Sequence, residues 1–301
     1  MTDDVMDILG LETPSTEPAP VEPAPVEPEP VAITEPESTI VESEPEPVAG
    51  TDPITEPIED LLDSIMKRVA PADKTSPWLR VLLYGPPGVR KTTFAALAPG
   101  AFIYETDTGG CESLLNFPET ANVPVLPFRS TTQILGMPGD PGLLDAMIND
   151  DPRLSKMQTF VIDTYTGYAN KDLAEIPRLG DGRPNYLTNT EHMKDLTDKL
   201  RQIKKHLILI AHVKEEKDET TGVVLRRPDL TPKVAQAVIA MMGVIGYMTL
   251  DGDNWQLQLQ PSPGVAAKCR IGGLPATLSN PNFQHLIDAR NNSIQNNKGN
   301  N

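Results

Sequence analysis

Lys91 and Thr92 stand side by side behind Gly85, Pro86, Pro87, Gly88, Val89 and Arg90, and Thr93 follows them. An ammonium next to a hydroxyl, entered from backbone too rich in glycine and proline to be helical, suits a polyphosphate. The N–H groups of such a loop can curl round a β-phosphate. Lys91 would reach the β- and γ-phosphates, and the Thr92 hydroxyl would ligate Mg²⁺. Titratable side chains at three further points are candidates for the remaining work. Asp163 ends an apolar run, Glu105 and Asp107 end another, and His212 follows a third.

These residues need particular elements to bring them together. Residues 81–84 are apolar and predict a buried strand, and residues 94–98 have helix propensity. Strand, Gly-rich loop, Lys-Thr and helix in that order is the P-loop arrangement. The pattern G-x-x-x-x-G-K-[ST] is broken once, because Arg90 stands where the second glycine belongs. Three consequences are open. Arg90 adopts an allowed helical conformation and points out of the pocket, or it adds a cation beside the phosphates, or it weakens binding and leaves a site that does not hydrolyse.

Residues 101–105 predict a second strand, which ends in Glu105-Thr106-Asp107-Thr108-Gly109. Open α/β sheets bind ligands at the carboxyl ends of their strands. Asp107 is therefore the first choice to orient an attacking water and Glu105 the second, with a solvated turn as the alternative. Residues 159–164, TFVIDT, have the Walker B form. Asp163 would accept from a Mg²⁺-bound water or from Thr92. Residues 206–211 predict a buried strand ending at His212, which is either a γ-phosphate sensor or an ordinary histidine. Residues 267–270 predict a short strand that puts Lys268 and Arg270 on one face.

Other expected elements are a strand at 123–128, helices at 58–69, 143–148, 190–204 and 232–240, and hairpins at 214–227 and 243–260. The stretch 176–186 is read as a Gly/Pro/Arg loop.

The 301 residues carry a net charge of −16, but unevenly: the first 60 hold 17 of the 42 acids and none of the 26 bases. That leaves 25 acids against 26 bases, so the folded part is near neutral and argues neither for nor against nucleic acid. Residues 1–57 form an acidic Pro/Glu-rich segment that cannot bury a core, and are expected to be a disordered tether whose apolar start offers a docking peptide for a partner. The domain is expected to span 58–288, with a disordered Asn-rich tail at 289–301. Two distant cysteines, the absence of a signal-peptide pattern and an apolar stretch too short to span a membrane lead to a reduced, cytoplasmic protein as the expectation.

With residues 85–92, 159–164, 210–214 and 268–270 in view, the chain resembles the phage-encoded RecA-like ATPases. These are often labelled AAA ATP-binding proteins, and some act as single-strand-annealing recombinases. The resemblance covers about residues 78–287. It implies a mostly parallel α/β sheet with helices on both faces and a C-terminal β-hairpin extension. It implies ATP and Mg²⁺ as ligands, single-stranded DNA as a partner and a homo-oligomer as the working form. The family's second strand ends Asp-x-Glu-x-Gly. Here the acids are exchanged, which puts Asp107 in the water-activating position. The resemblance further implies that Lys268 and Arg270 reach the nucleotide of a neighbouring subunit, and that the loops 176–186 and 214–227 face DNA. The competing expectations are a non-hydrolysing nucleotide-binding adaptor in phage replication, recruited through its N-terminal tail, and a helicase or helicase loader.

Overall fold

The computed structural model describes residues 63, 64, 66, 67, 69, 77–178, 180 and 182–299. In chain order the elements are β1 (Arg80–Tyr84), α1 (Lys91–Ala96), β2 (Ala101–Glu105), β3 (Val125–Pro127), α2 (Thr132–Leu135), α3 (Leu143–Ile148), β4 (Thr159–Asp163), α4 (Tyr165–Glu175), α5 (Arg183–Gln202), β5 (His206–Ala211), β6 (Val213–Lys217), β7 (Val224–Pro228), α6 (Pro232–Met241), β8 (Val244–Asp251), β9 (Asn254–Gln258), β10 (Lys268–Cys269), β11 (Thr277–Ser279) and α7 (Phe283–Gly299). A 3₁₀ segment, Gly110–Asn116, follows β2.

Nine strands join one sheet in the order β11-β9-β8-β1-β5-β4-β2-β3, with β10 on β8. The run from β8 to β3 is parallel throughout. Strands buried on both faces read as continuous apolar runs, which is why VLLY, FVID and LILIA were legible. Side chains alternate between the faces. Leu82, Tyr84, Phe160, Ile162, Leu207 and Leu209 pack on the side of α4, α5 and α6. Val81, Leu83, Val161, Ile208 and Ile210 pack on the side of α1 and α7. Helices therefore cover both faces, as expected, and β8–β9 forms the expected hairpin extension.

The register positions the site. Tyr84 pairs with Ala211, Ile210 with Asp163, and Asp163 with Glu105. The next residues of the four strands, Gly85 and His212 at one level and Thr164 and Thr106 one residue before it, thus leave the sheet at the same edge. The strand that ends before His212 is inserted between the P-loop strand and the Asp163 strand, which no local pattern dictates.

Several expectations need correction. The stretch 176–186 is not loop throughout, because α5 begins at Arg183 rather than at 190, with Pro184 in its first turn and left-handed Gly182 before it. Proline suits the first helical position, where its missing N–H costs nothing. The Asn-rich end is helical to Gly299 instead of disordered from 289. Asn282 accepts from His285 N–H at 3.0 Å at the start of α7, Phe283 and Leu286 are buried, and Ser293 Oγ donates to the Gly272 carbonyl at 3.2 Å. An Asn cap and those apolar anchors outweigh the polar composition. The third strand is shorter than 123–128. Of the expected helix 58–69, Asp63, Ser64 and Met66 are helical, and most of the rest lies outside the described residues, as does the tail 1–57. Among the described residues no helix is long and apolar enough to cross a membrane.

Candidate functional site

Lys91 Nζ donates to the carbonyls of Gly85 and Pro86 at 2.9 and 2.7 Å. Burial lowers its pKa, opposed by the carboxylates of Asp163 and Asp107. Thr92 Oγ1 donates to Asp163 Oδ2 at 2.6 Å, so the two expected metal ligands meet. Asp163 is only 5% exposed. Burial pushes its carboxyl up to about 6, with the Thr92 hydrogen bond acting against that shift. A buried carboxylate with one hydroxyl partner fits a small hard cation that takes its other ligands from phosphate and water. Among the described residues no group of three or more His, Cys, Asp or Glu could hold a metal ion. Gly85 is required by a close approach: a Cβ there would overlap the Met248 carbonyl.

The carboxylates after β2 differ in their partners. Glu105 accepts from the Cys111 N–H at 2.8 Å and so holds the start of the 3₁₀ segment. Burial, with Asp163 and Glu105 nearby, raises the Cys111 thiol pKa and keeps it a thiol. Asp107 Oδ2 accepts from Thr164 Oγ1 at 3.0 Å and lies 3.1 Å from His212 Nε2. Asp107 and His212 are thus joined directly, across strands that are not neighbours in the sheet. Asp107 keeps about a third of its side-chain surface open.

Three residues not expected from sequence complete this arrangement. Thr106 Oγ1 donates to the Thr164 carbonyl at 2.7 Å and accepts the Thr164 N–H at 2.8 Å, clamping the ends of β2 and β4. Thr164 also caps α4 by accepting from Gly167 N–H at 2.9 Å. Gly167 leaves room for Asp107, because a Cβ there would overlap the Asp107 carboxylate and crowd Thr106. Thr164 three residues ahead of Gly167 is a readable cap signature, but its second bond, to Asp107, depends on the sheet.

Arg90 is left-handed, with φ 61° and ψ 31°, not in the helical conformation one sequence reading expected. Glycine enters that region freely, and another residue loses about 1–2 kcal/mol there. Its guanidinium lies 4.6 Å from the Trp255 ring centroid and 5.3 Å from that of Phe117. Each exposed cation–π contact gives about 0.5–1 kcal/mol, which offsets the backbone cost. Of the other residues of this stretch, Val89 and Thr93 are buried, Pro86 is half-buried, and Pro87 and Gly88 are exposed.

Lys268 and Arg270 do not join this constellation. Lys268 pairs in register with Ile245 and Cys269 with Val244, near the start of the P-loop strand's neighbour, while the site lies at the other end. Lys268 Nζ donates to the Ile239 carbonyl of α6 at 2.8 Å. In the expected DNA-facing hairpin, Arg226 bonds Glu215 at 2.9 Å and Arg227 pairs with Glu216, so both of its arginines are matched by its own acids.

A mostly parallel sheet wrapped by helices, a P-loop, and the pairing of Thr92 with buried Asp163 beside it define an ATPase-like P-loop domain. The chain belongs to a family of that class: the family model described as an AAA domain matches residues 78–271, more than half of the sequence. No curated protein matches the chain.

Proposed function

We propose that the protein binds ATP with Mg²⁺ at this site and hydrolyses it, and that as an oligomer it acts on single-stranded DNA in annealing or strand exchange. The observation that carries the ATPase reading is the meeting, at one sheet edge, of Lys91, the Thr92–Asp163 pair and the Asp107–His212 pair. Lys91 would hold the β- and γ-phosphates. Thr92 and Asp163 would hold Mg²⁺, which when bound neutralises charge on the phosphate oxygens. Asp107 would orient a water toward the γ-phosphorus and take its proton as the bond to the bridging oxygen breaks and ADP leaves. His212, bonded to Asp107, would fix that carboxylate and report the γ-phosphate.

For DNA, the first loop region offers more than the second. Arg178 and Tyr186 line a cleft of about 590 Å³ at the end of α4 and the start of α5, and Tyr186 and Leu187 are exposed. A cation beside an exposed aromatic ring suits single strands, whose phosphates pair and whose bases stack. Lys268 and Arg270, placed away from their own P-loop, would serve only a neighbouring subunit.

Arg90 in a glycine position favours a second reading, a nucleotide-binding adaptor without turnover. The test is Mg²⁺-dependent ATP hydrolysis with and without single-stranded DNA at low salt, for this chain beside Arg90→Gly. DNA-stimulated turnover in both supports the recombination ATPase. Turnover in the glycine variant alone gives the adaptor the lead, and no DNA binding at low salt removes the recombination reading.

A further inference from the structure

The cleft that holds Arg178 adjoins a second, smaller cavity. Asn170 and Leu173 on α4 and Tyr186 on α5 line both. The smaller cavity measures about 120 Å³. Its walls include Met193 and Val234, both buried, with Asp229 and Leu230 supplied by the residues ahead of α6. A water needs roughly 10–15 Å³, and drug-sized ligands take roughly 300–1,000 Å³. A volume between those limits suits one planar ring.

The lining decides what kind of ring. It includes no Lys or Arg and one acid, Asp229, so it repels a phosphate, whereas the neighbouring cleft carries Arg178. Tyr186 is 62% exposed at the boundary of the two, and an aromatic ring there offers a stacking face to an unpaired base. The Asn170 amide and the Asp229 carboxylate make no hydrogen bond or ion pair among the described residues. An amide both donates and accepts, and a carboxylate only accepts. Together they suit a base edge that sets an amino group beside a bare ring nitrogen, as cytosine and adenine do. Thymine shows a carbonyl oxygen where cytosine has its amino group, and that oxygen would face the carboxylate with no proton between them.

We propose that this cavity receives one unstacked base of a single DNA strand whose phosphates lie in the Arg178 cleft. Tyr186 stacks on the base, Asp229 accepts from its amino group, and Asn170 donates to the ring nitrogen beside it. This rests on the single-stranded DNA reading above and adds a base preference to it, since phosphate contacts carry no sequence information. The place of Asp229 is fixed by its backbone. Its N–H donates to the His212 carbonyl at 2.9 Å, and its own carbonyl accepts from Thr166 Oγ1 at 3.0 Å.

Fluorescence anisotropy of the full chain at low salt, with equal-length strands of dC, dT and abasic sugar-phosphate, tests it without ATP. The dC strand is expected to bind about tenfold more tightly than the abasic strand, within the range for base–aromatic stacking, and several-fold more tightly than dT. Tyr186→Ala, at an exposed position, is expected to bring dC close to the abasic strand and leave the abasic strand as it was. Asp229→Asn keeps the backbone bonds and supplies a donor, so the ratio of dC to dT affinity is expected to fall toward one. Equal binding of dC and abasic strands overturns the base cavity while the DNA reading stands. A Tyr186→Ala loss that is the same for both strands also overturns it. Equal binding of dC and dT in the unaltered chain overturns the recognition of the amino group. If no strand binds, the DNA reading falls and the base cavity falls with it.

Discussion

Asp107 and Glu105 sit two residues apart at the end of β2, and their partners separate them. Glu105 is occupied by a backbone N–H of the 3₁₀ segment, whereas Asp107 faces His212 and Thr164. Asp107→Asn should therefore lower kcat by about 10²–10⁴-fold, the range for a lost general base, with ADP affinity changed less than about twofold. Steady-state rates beside equilibrium titration would show both. If Glu105→Gln has the larger effect on kcat, the roles are exchanged. His206 carries a different prediction. Its Nδ1 accepts the Leu79 N–H at 3.0 Å, and burial lowers its pKa from 6.5 to about 4. The unfolded imidazole takes its proton near 6.5, so between about 6.5 and about 4 the unfolded chain binds more protons. Stability from this group is present above 6.5 and lost as pH falls toward 4. His206→Gln should flatten the fall in urea midpoint between pH 7 and pH 5, and an unchanged slope would remove His206 as its source.

At the scale of elements, the site depends on how β2, β4 and α4 meet. Thr106 and Thr164 exchange hydrogen bonds across the strand ends, and Gly167 in α4 gives Asp107 its place. Gly167→Ala should keep the helix, where alanine is intrinsically better by about 1 kcal/mol, and still reduce turnover nearly as far as Asp107→Asn. Circular dichroism with kcat on one sample checks the pair. If turnover survives, Asp107 does not work from this position. The helix α7 closes the other face of the sheet. Phe283 is fully buried and meets Phe94 and His206 edge-on, at 6.2 and 5.4 Å between ring centroids. Phe283→Ala should cost about 3–5 kcal/mol, the usual range for an emptied aromatic site, read from denaturant unfolding. A loss below about 1 kcal/mol would mean that α7 is not part of the core.

At the scale of the molecule, charge is divided along the chain. The first 60 residues hold 17 acids and no bases, and the remainder is near neutral. If the protein binds single-stranded DNA as proposed, an acidic segment on the same chain would compete with DNA for its cations, and salt would screen that competition. Removing residues 1–57 should tighten binding to single-stranded DNA several-fold at about 50 mM salt, with the difference closing near 0.5 M. Equal affinities at low salt would show that the tail does not reach that surface.

Local sequence sufficed wherever one element carries the information. Residues 85–93 announce a phosphate loop because loop, lysine and hydroxyl are consecutive, and VLLY, TFVID and HLILIA announce buried strands because both faces of each are apolar. The start of α5 is also marked locally, by Pro184, whereas the continuation of α7 past residue 289 has no local mark beyond its cap at Asn282 and depends on contacts such as Ser293 to the Gly272 carbonyl. Other features had no local signal. Whether Asp107 or Glu105 faces His212 depends on register across β2, β4 and β5, set by pairing of Glu105 with Asp163 and of Asp163 with Ile210, and it brings together side chains 105 positions apart. Arg90 looks like a damaged glycine until Trp255 and Phe117 arrive from distant elements to hold its side chain. Lys268 looks like a free cation until the Ile239 carbonyl is found beside it. Which groups were present was written in the chain. Which of them meet was decided by the sheet, because its strand order and register alone set the distances between them.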